Sequence, residues 1–287
     1  MKRPRTMKEH TIAVRGKSIH VRESAGVDTP DTQDARDASF PTLLCIHGNL
    51  GSGRWFEPLF AEYPGRAVAP DLPNFGESDH IDGFSMRVYA EWLVTICETL
   101  GVAASGRPLA VLGHSLGGAV AMELLYRRPA LVSRLVLVDS SPVEGLVTPK
   151  QYHPAIEAYK ADKAVLAAAL RTMVPTLTDA EFFDKLVDDA WKMNRDCFIG
   201  HAEQLGNADY REKLAGVGTP VHVLRGDGDP LITERRAAET AAFFGSTVYT
   251  FAGCGHSPVI EQPERFNAVL LDILREDLDR TRADRKE

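Results

Sequence analysis

Short runs of apolar residues alternate along most of the chain with longer segments in which apolar residues recur every three or four positions. The short runs contain no polar alternation, which is typical of strands that helices cover on both faces. The strands predicted in this way cover residues 42–46, 66–69, 109–112, 135–138, 221–224 and 247–251. Because they alternate with helices, the pattern predicts an α/β fold with a doubly wound, mostly parallel sheet.

The helices of this pattern are predicted over residues 85–100, 116–127 and 263–278. Near the amino terminus, apolar and polar residues alternate on either side of Gly16 and Lys17, which predicts a β-hairpin. Residues 28–39 are rich in Asp, Thr and Ala, and they predict an exposed loop before the first buried strand.

The alternation breaks at residues 143–214, where no strand is predicted. Helical spacing instead predicts helices over residues 152–170, 179–191 and 198–205. Thr178 and Glu181 have the spacing of a capping box at the start of the second of these helices. A helical insertion in an α/β pattern predicts a cap at 143–214 between two segments of one α/β core, 1–142 and 215–287.

Composition narrows the class of protein. The 287 residues are 44% hydrophobic and 25% charged, as in soluble globular proteins, and no apolar run is long enough to span a bilayer. A net charge of −7 argues against general nucleic-acid binding. The four cysteines form no CxxC pair, and no apolar segment follows the basic residues near the amino terminus. We therefore expect a reduced, cytoplasmic protein that binds neither nucleic acid nor membranes.

A candidate nucleophile lies between a predicted strand and a predicted helix. Residues 113–117 read Gly-His-Ser-Leu-Gly, which is the G-x-S-x-G pattern in its strand–turn–helix context. The sharp turn strains the serine backbone and exposes its hydroxyl, while the helix behind it offers free N–H groups. The alternative is a glycine-rich turn that only caps a helix. The pattern favours Ser115 as the nucleophile.

A serine nucleophile needs a base, and the base needs an orienting carboxylate. His256 follows the last predicted strand in a glycine-rich loop, and we predict that it is the base. Asp229 follows the strand at 221–224, and we choose it as the acid. Asp139, at the end of a neighbouring strand, is the alternative acid, since the chain order Ser, Asp, His is satisfied either way.

The developing oxyanion needs hydrogen-bond donors. We predict the backbone N–H of Leu116, directly after the nucleophile, and that of Asn49, in the loop after the strand at 42–46. His47 in the same loop is expected to stabilise the turn and to take no part in the chemistry.

Taken together, these segments resemble the α/β-hydrolase superfamily, in its serine-nucleophile, esterase-like branch with a helical cap. The resemblance covers nearly the whole chain. It implies an α/β-hydrolase fold and supports Asp229, because the family acid follows a glycine by three positions. The family usually has a glycine where this chain has Asn74, a departure expected to change a turn and not the chemistry. The segments that carry the resemblance are 47–49, 71–78, 113–118, 226–229 and 255–263.

Within this family, Ser115 argues against the haloalkane dehalogenases and epoxide hydrolases, which use an aspartate nucleophile. The menaquinone-pathway lyase typically has an arginine where this chain has Ala119. Carbon–carbon bond hydrolysis or a lyase reaction stays open as an alternative. So does a small-ligand sensor that retains the triad, because a fold alone does not determine function.

The cap is expected to shape the substrate pocket. Its large apolar residues could line an acyl pocket, although for any one of them packing within the cap is the simpler interpretation: Phe182, Phe183, Trp191, Met193 and Phe198. His153 and His201 are expected to be surface or packing residues. The histidines and cysteines lack the spacing of a metal site, and there is no phosphate loop, so we expect neither metal nor cofactor. The predicted function is hydrolysis of small carboxylic esters, thioesters or lactones with an apolar acyl part.

Overall fold

The computed structural model describes residues 7–24, 40–102 and 109–284; the loop predicted at 28–39 lies outside them. Its strands are β1 (Met7–Val14), β2 (Lys17–Ser24), β3 (Leu43–Ile46), β4 (Ala67–Pro70), β5 (Leu109–His114), β6 (Val132–Val138), β7 (Val221–Gly226) and β8 (Val248–Phe251). They form one sheet in the order β1-β2-β4-β3-β5-β6-β7-β8. Six of the eight coincide closely with the strands predicted from the short runs, and the other two are the predicted hairpin. β8 is not covered on both faces as its run predicted, because only Phe251 in it is buried.

The sheet is parallel from β4 to β8 and antiparallel at its amino-terminal edge, where β2 pairs with both β1 and β4. Helices cover it, and β3, β4 and β5 are buried along their whole length. This confirms the predicted doubly wound, mostly parallel fold. Because parallel strands end at the same edge of a sheet, the loops after β3, β5, β6, β7 and β8 lie together there.

The helices are α1 (Glu57–Phe60), α2 (Met86–Thr99), α3 (Leu116–Arg127), α4 (His153–Ala161), α5 (Lys163–Met173), α6 (Ala180–Trp191), α7 (Cys197–Gly206), α8 (Glu234–Phe243), α9 (Pro258–Glu261) and α10 (Pro263–Asp284). The sequence pattern did not predict α8. Its buried residues are only Ala237, Thr240 and Ala241, so it lacks the large apolar side chains that mark an amphipathic helix.

The four helices α4 to α7 lie between β6 and β7, where the cap was predicted. The helix predicted at 152–170 is in fact two helices, because Asp162 has an extended backbone and its carboxylate caps α5. The predicted capping box was also wrong in detail. Asp179, not Thr178, caps α6 by accepting a hydrogen bond of 2.9 Å from the N–H of Phe182. The boundaries between core and cap at residues 143 and 214 stay a prediction.

Among the described residues, no helix has the length and apolar character needed to cross a membrane. The cytoplasmic location stays a prediction from composition.

Candidate active site

Ser115 lies at the sharp turn between β5 and α3. Its backbone angles are φ 54° and ψ −119°, a region that non-glycine residues rarely occupy. The turn lies so close to β3 that a Cβ on Gly117 would lie 2.1 Å from the carbonyl oxygen of Ile46. Glycine at 117 therefore allows the turn to approach β3, and the strained backbone of this turn exposes Ser115.

His256 connects Ser115 with Asp229. Its Nε2 lies 2.9 Å from Ser115 Oγ, and its Nδ1 lies 2.7 Å from Asp229 Oδ2. The histidine and the aspartate are nearly buried, with exposed fractions of 5% and 6%. The structure thus brings three predicted residues, from the ends of β5, β7 and β8, into one chain of hydrogen bonds.

The carboxylate of Asp229 is held on both oxygens. While Oδ2 accepts from His256, Oδ1 accepts hydrogen bonds of 2.7 and 3.1 Å from the backbone N–H groups of Leu231 and Ile232. Burial acts to raise the pKa of Asp229, but the electrostatic interaction and the hydrogen bond with His256 outweigh burial and hold this pKa below its usual range. Asp229 is therefore ionised near neutral pH.

Asp139, the alternative acid, follows β6 and is completely buried beside Asp229. Its Oδ1 accepts a hydrogen bond of 2.9 Å from the N–H of Gly226. Burial and the negative charge of Asp229 raise the pKa of Asp139 well above its usual value. Asp139 is therefore a neutral acid that does not hydrogen-bond to His256.

Asp139, Asp229 and His256 also place one potential metal-ligating atom each within 4.8 Å of one another. However, His256 Nδ1 and Asp229 Oδ2 are joined by their own hydrogen bond, and Asp139 is neutral. A cation there would need this hydrogen bond to break and Asp139 to lose its proton. The chemistry of these donors therefore fits an acid–base pair better than a metal site.

The predicted oxyanion donors belong to the start of α3 and to the loop after β3. Residue 116 begins α3, and Asn49 follows β3. A Cβ on Gly48 would lie 2.9 Å from Ser115 Cβ, so this loop packs directly against Ser115. Within residues 7–24, 40–102 and 109–284, neither the N–H of Asn49 nor that of Leu116 has a protein acceptor. Both N–H groups remain available to a substrate oxygen.

His47 holds the turn of the same loop, as expected. Its Nε2 accepts a hydrogen bond of 2.9 Å from the N–H of Leu72, so its Nδ1 carries the proton and donates to the carbonyl of Gly48, also at 2.9 Å. Burial lowers the pKa of His47, which keeps the ring neutral. The ring is completely buried, and these two bonds occupy both of its nitrogens, so it has none left for Ser115.

A cavity of about 250 Å³ opens at Ser115. The cap contributes residues from α4 and α5. The core contributes residues around Ser115 and His256 and from the loop at 47–53, which we call the oxyanion loop after the role predicted for it. The lining consists of Asn49, Leu50, Trp55, His114, Ser115, Tyr159, Ala169, Leu170, Thr172, Met173, Leu231 and His256. The cavity is mostly apolar, and none of these described residues carries a carboxylate, ammonium or guanidinium group.

The apolar cap residues considered from sequence do not line this cavity. Phe183, Met193 and Phe198 are nearly buried, and they belong to the apolar core together with the half-buried Phe182 and Trp191. The packing interpretation was therefore the right one. The lining residues of the cap instead come from α4 and α5, whose helical pattern carries no sign of which face meets the core.

Sequence reasoning gave no role to Glu261, which organises the loop that carries His256. Its Oε2 accepts hydrogen bonds from the N–H of Gly255 at 3.1 Å and from the hydroxyl of Thr176 in the cap at 2.7 Å. Its Oε1 accepts from the N–H of Ser257 at 3.0 Å. Glu261 therefore binds both neighbours of His256 and ties them to the cap.

Asn74 does more than change a turn. It has a φ of 77°, which asparagine tolerates better than most residues. Its backbone carbonyl accepts a hydrogen bond of 2.9 Å from the N–H of Asn194 in the cap, and its Oδ1 accepts one of 3.2 Å from the side chain of Asn194. A glycine at 74 would lack the side-chain bond, so the departure from the family pattern adds a contact between core and cap.

Comparisons with known proteins agree with this fold. The sequence profile of the alpha/beta hydrolase family matches residues 43–269. The dihydrolipoyllysine-residue acetyltransferase component of the acetoin cleaving system of Cupriavidus necator is 30% identical over 248 residues, which cover 80% of this chain and 62% of that protein. This chain thus spans less than two thirds of that relative.

Two other similar proteins match over most of their own length. The pimeloyl-(acyl-carrier protein) methyl ester esterase of Aromatoleum aromaticum is 30% identical over 259 residues, covering 82% of this chain and 98% of that enzyme. The solved structure of a mutant of the N-acyl homoserine lactonase AidH, complexed with N-hexanoyl homoserine, has a TM-score of 0.75 and 25% identity, with 94% of this chain and 97% of that chain covered. The chain belongs to the alpha/beta hydrolase family, which confirms the resemblance and the esterase-like hydrolase predicted from its sequence.

Proposed function

We propose that this hydrolase cleaves small carboxylic esters through an acyl-enzyme, with Ser115, His256 and Asp229 as its triad. The observation that carries the proposal is the pair of hydrogen bonds, of 2.9 and 2.7 Å, that joins Ser115 Oγ to His256 and His256 to Asp229. A serine hydroxyl becomes an effective nucleophile only with such an oriented base.

In the proposed mechanism, Ser115 Oγ attacks the ester carbonyl carbon while His256 Nε2 takes the hydroxyl proton. The N–H groups of Asn49 and Leu116 stabilise the oxygen as it becomes negative. His256 then gives its proton to the departing alcohol, and the acyl group stays on Ser115. His256 next takes a proton from water, whose oxygen attacks the acyl carbon. The acid is released when this proton returns to Ser115 Oγ.

The cavity supports a substrate with an uncharged, apolar acyl part. Its lining has no lysine or arginine among the described residues, so a carboxylate in the acyl part would be buried without a partner. The volume of about 250 Å³ lies below the usual range for sites that take drug-sized ligands. Short and medium acyl chains therefore fit best. Substrates with a carboxylate near the scissile bond, including acidic carbon–carbon bond substrates, are disfavoured.

A lactone is the second substrate class that an observation favours, because a solved lactonase matches 94% of this chain at 25% identity. Opening of a lactone follows the same steps as ester cleavage, except that the alcohol stays attached to the acyl group. Thioesters are chemically close and react by the same route.

The proposal is tested by hydrolysis of p-nitrophenyl esters from acetate to decanoate, with N-hexanoyl homoserine lactone in parallel, by the wild type and by Ser115→Ala. We expect turnover that the substitution abolishes and an optimum at short or medium chains. A p-nitrophenyl ester with a free terminal carboxylate is the matched probe for the uncharged pocket, and it should be a poor substrate.

Full activity of Ser115→Ala would overturn the proposal. Wild-type protein that turns over neither esters nor lactones would also contradict it. Turnover of a dienol-ketone would then favour carbon–carbon bond cleavage, and thermal stabilisation by a ligand that is never consumed would favour a sensor.

A further inference from the structure

His201 lies on α7, in the cap, and is completely buried. Its ring stacks on Phe75 with an interplanar angle of 3° and a centroid distance of 5.0 Å. Burial lowers the pKa of His201 to about 3, so the ring is neutral near pH 7. A neutral imidazole has one N–H donor and one nitrogen acceptor.

Both ring nitrogens of His201 have partners outside the cap. Nδ1 lies 2.8 Å from Asn49 Oδ1, and Nε2 lies 2.7 Å from the hydroxyl of Tyr89 on α2. An amide oxygen can only accept, so Nδ1 carries the proton and donates to Asn49. Nε2 is then the acceptor for Tyr89, whose pKa is raised by burial so that the hydroxyl keeps its proton.

The Asn49 loop needs such support. Leu50, the next residue, has a φ of 58°, a strained conformation for a non-glycine residue that persists only where the surroundings hold it. The loop packs against Ser115, as the 2.9 Å distance from a Cβ on Gly48 to Ser115 Cβ shows. A small shift of this loop would therefore move the N–H of Asn49 relative to the nucleophile.

We propose that His201 is a positioning residue for catalysis: by donating to Asn49 Oδ1, it holds the oxyanion loop and so sets the position of the Asn49 backbone N–H. This inference rests on the proposed function of that N–H. It gives the cap a part in transition-state stabilisation in addition to its part in the pocket wall. A ring that served only for packing would need neither nitrogen paired, and phenylalanine would serve equally well.

Two substitutions separate the effect of the hydrogen bond to Asn49 from the effect of ring stacking on Phe75. An asparagine amide N–H reaches the place of Nδ1, whereas a glutamine amide reaches the place of Nε2. His201→Asn and His201→Gln both lose the stacking on Phe75, so each serves as the control for the other in thermal stability. Only His201→Asn keeps a donor for Asn49.

With p-nitrophenyl butyrate, His201→Gln should lower kcat by about 10- to 100-fold and change KM little, because the interaction acts in the transition state. His201→Asn should recover most of kcat. In an Asn49→Ala background, His201→Gln should cost little more, since the coupled partner is already gone. Equal losses of kcat in both His201 variants, or full additivity with Asn49→Ala, would overturn the proposal.

A second readout does not depend on turnover. Amide hydrogen exchange of a peptide covering residues 47–53 should be faster in His201→Gln than in His201→Asn or the wild type. If the wild type showed no Ser115-dependent turnover, the proposed function would fail, while this exchange would still decide whether His201 holds the loop. Equal exchange in all three proteins would contradict the inference.

Discussion

Asp139 and Asp229 lie side by side at the ends of adjacent strands, yet they carry different charges and have different partners. Asp229 accepts the hydrogen bond of His256, whereas Asp139 accepts from the backbone of Gly226. The negative charge of Asp229, together with complete burial, raises the pKa of Asp139 and keeps it neutral. Two adjacent buried carboxyl groups thus avoid bearing two charges.

This relationship predicts that replacement by asparagine affects kcat strongly at position 229 and weakly at position 139. Asp229→Asn should lower kcat by about 10⁴-fold, as loss of the orienting carboxylate does in serine triads generally. Asp139→Asn should keep kcat within a few-fold, because asparagine is neutral like the protonated acid and can still accept from Gly226. Steady-state kinetics on p-nitrophenyl butyrate measures both. A large loss in Asp139→Asn with a small one in Asp229→Asn would reverse the assignment of the acid.

The close packing around Gly48 predicts that Gly48→Ala, which adds one methyl group, lowers kcat. A Cβ at this position would lie 2.9 Å from Ser115 Cβ and 3.0 Å from His114 Nδ1, so the loop that carries Asn49 must move away. A shift of this kind should lower kcat by about 10- to 100-fold. The control is Gly218→Ala, where no atom lies within 4 Å of the added Cβ. Equal kcat in the two variants would show that the loop can move without harm.

The contact between α6 and the oxyanion loop predicts that alanine at position 189 destabilises the protein more than alanine at position 188. Asp189 is 2% exposed and accepts hydrogen bonds of 2.8 Å from both Ser52 and Arg54. Asp189→Ala should lower the free energy of unfolding by about 3 kcal/mol, since it removes a buried carboxylate that pairs with Arg54 and leaves that guanidinium with Glu57 alone. Asp188→Ala breaks only an exposed pair with Lys163 and should cost less than about 1 kcal/mol.

Urea unfolding at neutral pH measures both values. Similar free energies of unfolding for the two alanine variants would mean that the buried contact does not hold the cap to the core.

Neutral buried histidines predict a loss of stability in mild acid. Burial lowers the pKa of His201 and of His114 to about 3, from an unfolded value of 6.5. Between these values the unfolded chain takes up protons that the folded protein does not. The contribution of these histidines to the free energy of unfolding is therefore complete above pH 6.5. As the pH falls below this value, it decreases by about 1.4 kcal/mol per pH unit for each histidine.

The window from pH 6 to 5 lies above the usual pKa values of Asp and Glu, about 3.9 and 4.3, so most carboxylates stay ionised across it. Urea unfolding across this window gives the slope of the unfolding free energy against pH. In His201→Gln this slope should be smaller than in the wild type by about 1.4 kcal/mol per pH unit, which corresponds to one proton fewer. An unchanged slope would mean that His201 is protonated in the folded protein.

The fold was predictable because its evidence is local. The apolar runs that form β3 and β5, and the strand–turn–helix pattern around Ser115, depend on neighbouring residues in the chain. The same holds for most helices with large apolar residues. The pattern had no such signal for α8, which packs mainly through alanines.

The parts of the site that sequence reasoning missed depend on contacts between distant residues. His201 reaches Asn49 across 152 positions, and Ser52 reaches Asp189 across 137. A buried histidine with two hydrogen bonds has the same local sequence as one that only packs. The choice of Asp229 over Asp139, by contrast, had support from the family pattern, in which the acid follows a glycine by three positions; chain order alone left both open.

The covalent intermediate is the most direct test of the account. Wild-type protein mixed with p-nitrophenyl butyrate and quenched in acid within milliseconds should carry one butyryl group, and peptide mass spectrometry should find it on Ser115. His256→Ala should accumulate little of it, and Ser115→Ala none. Ester turnover with no acyl group on Ser115, or with the group on another residue, would contradict the account.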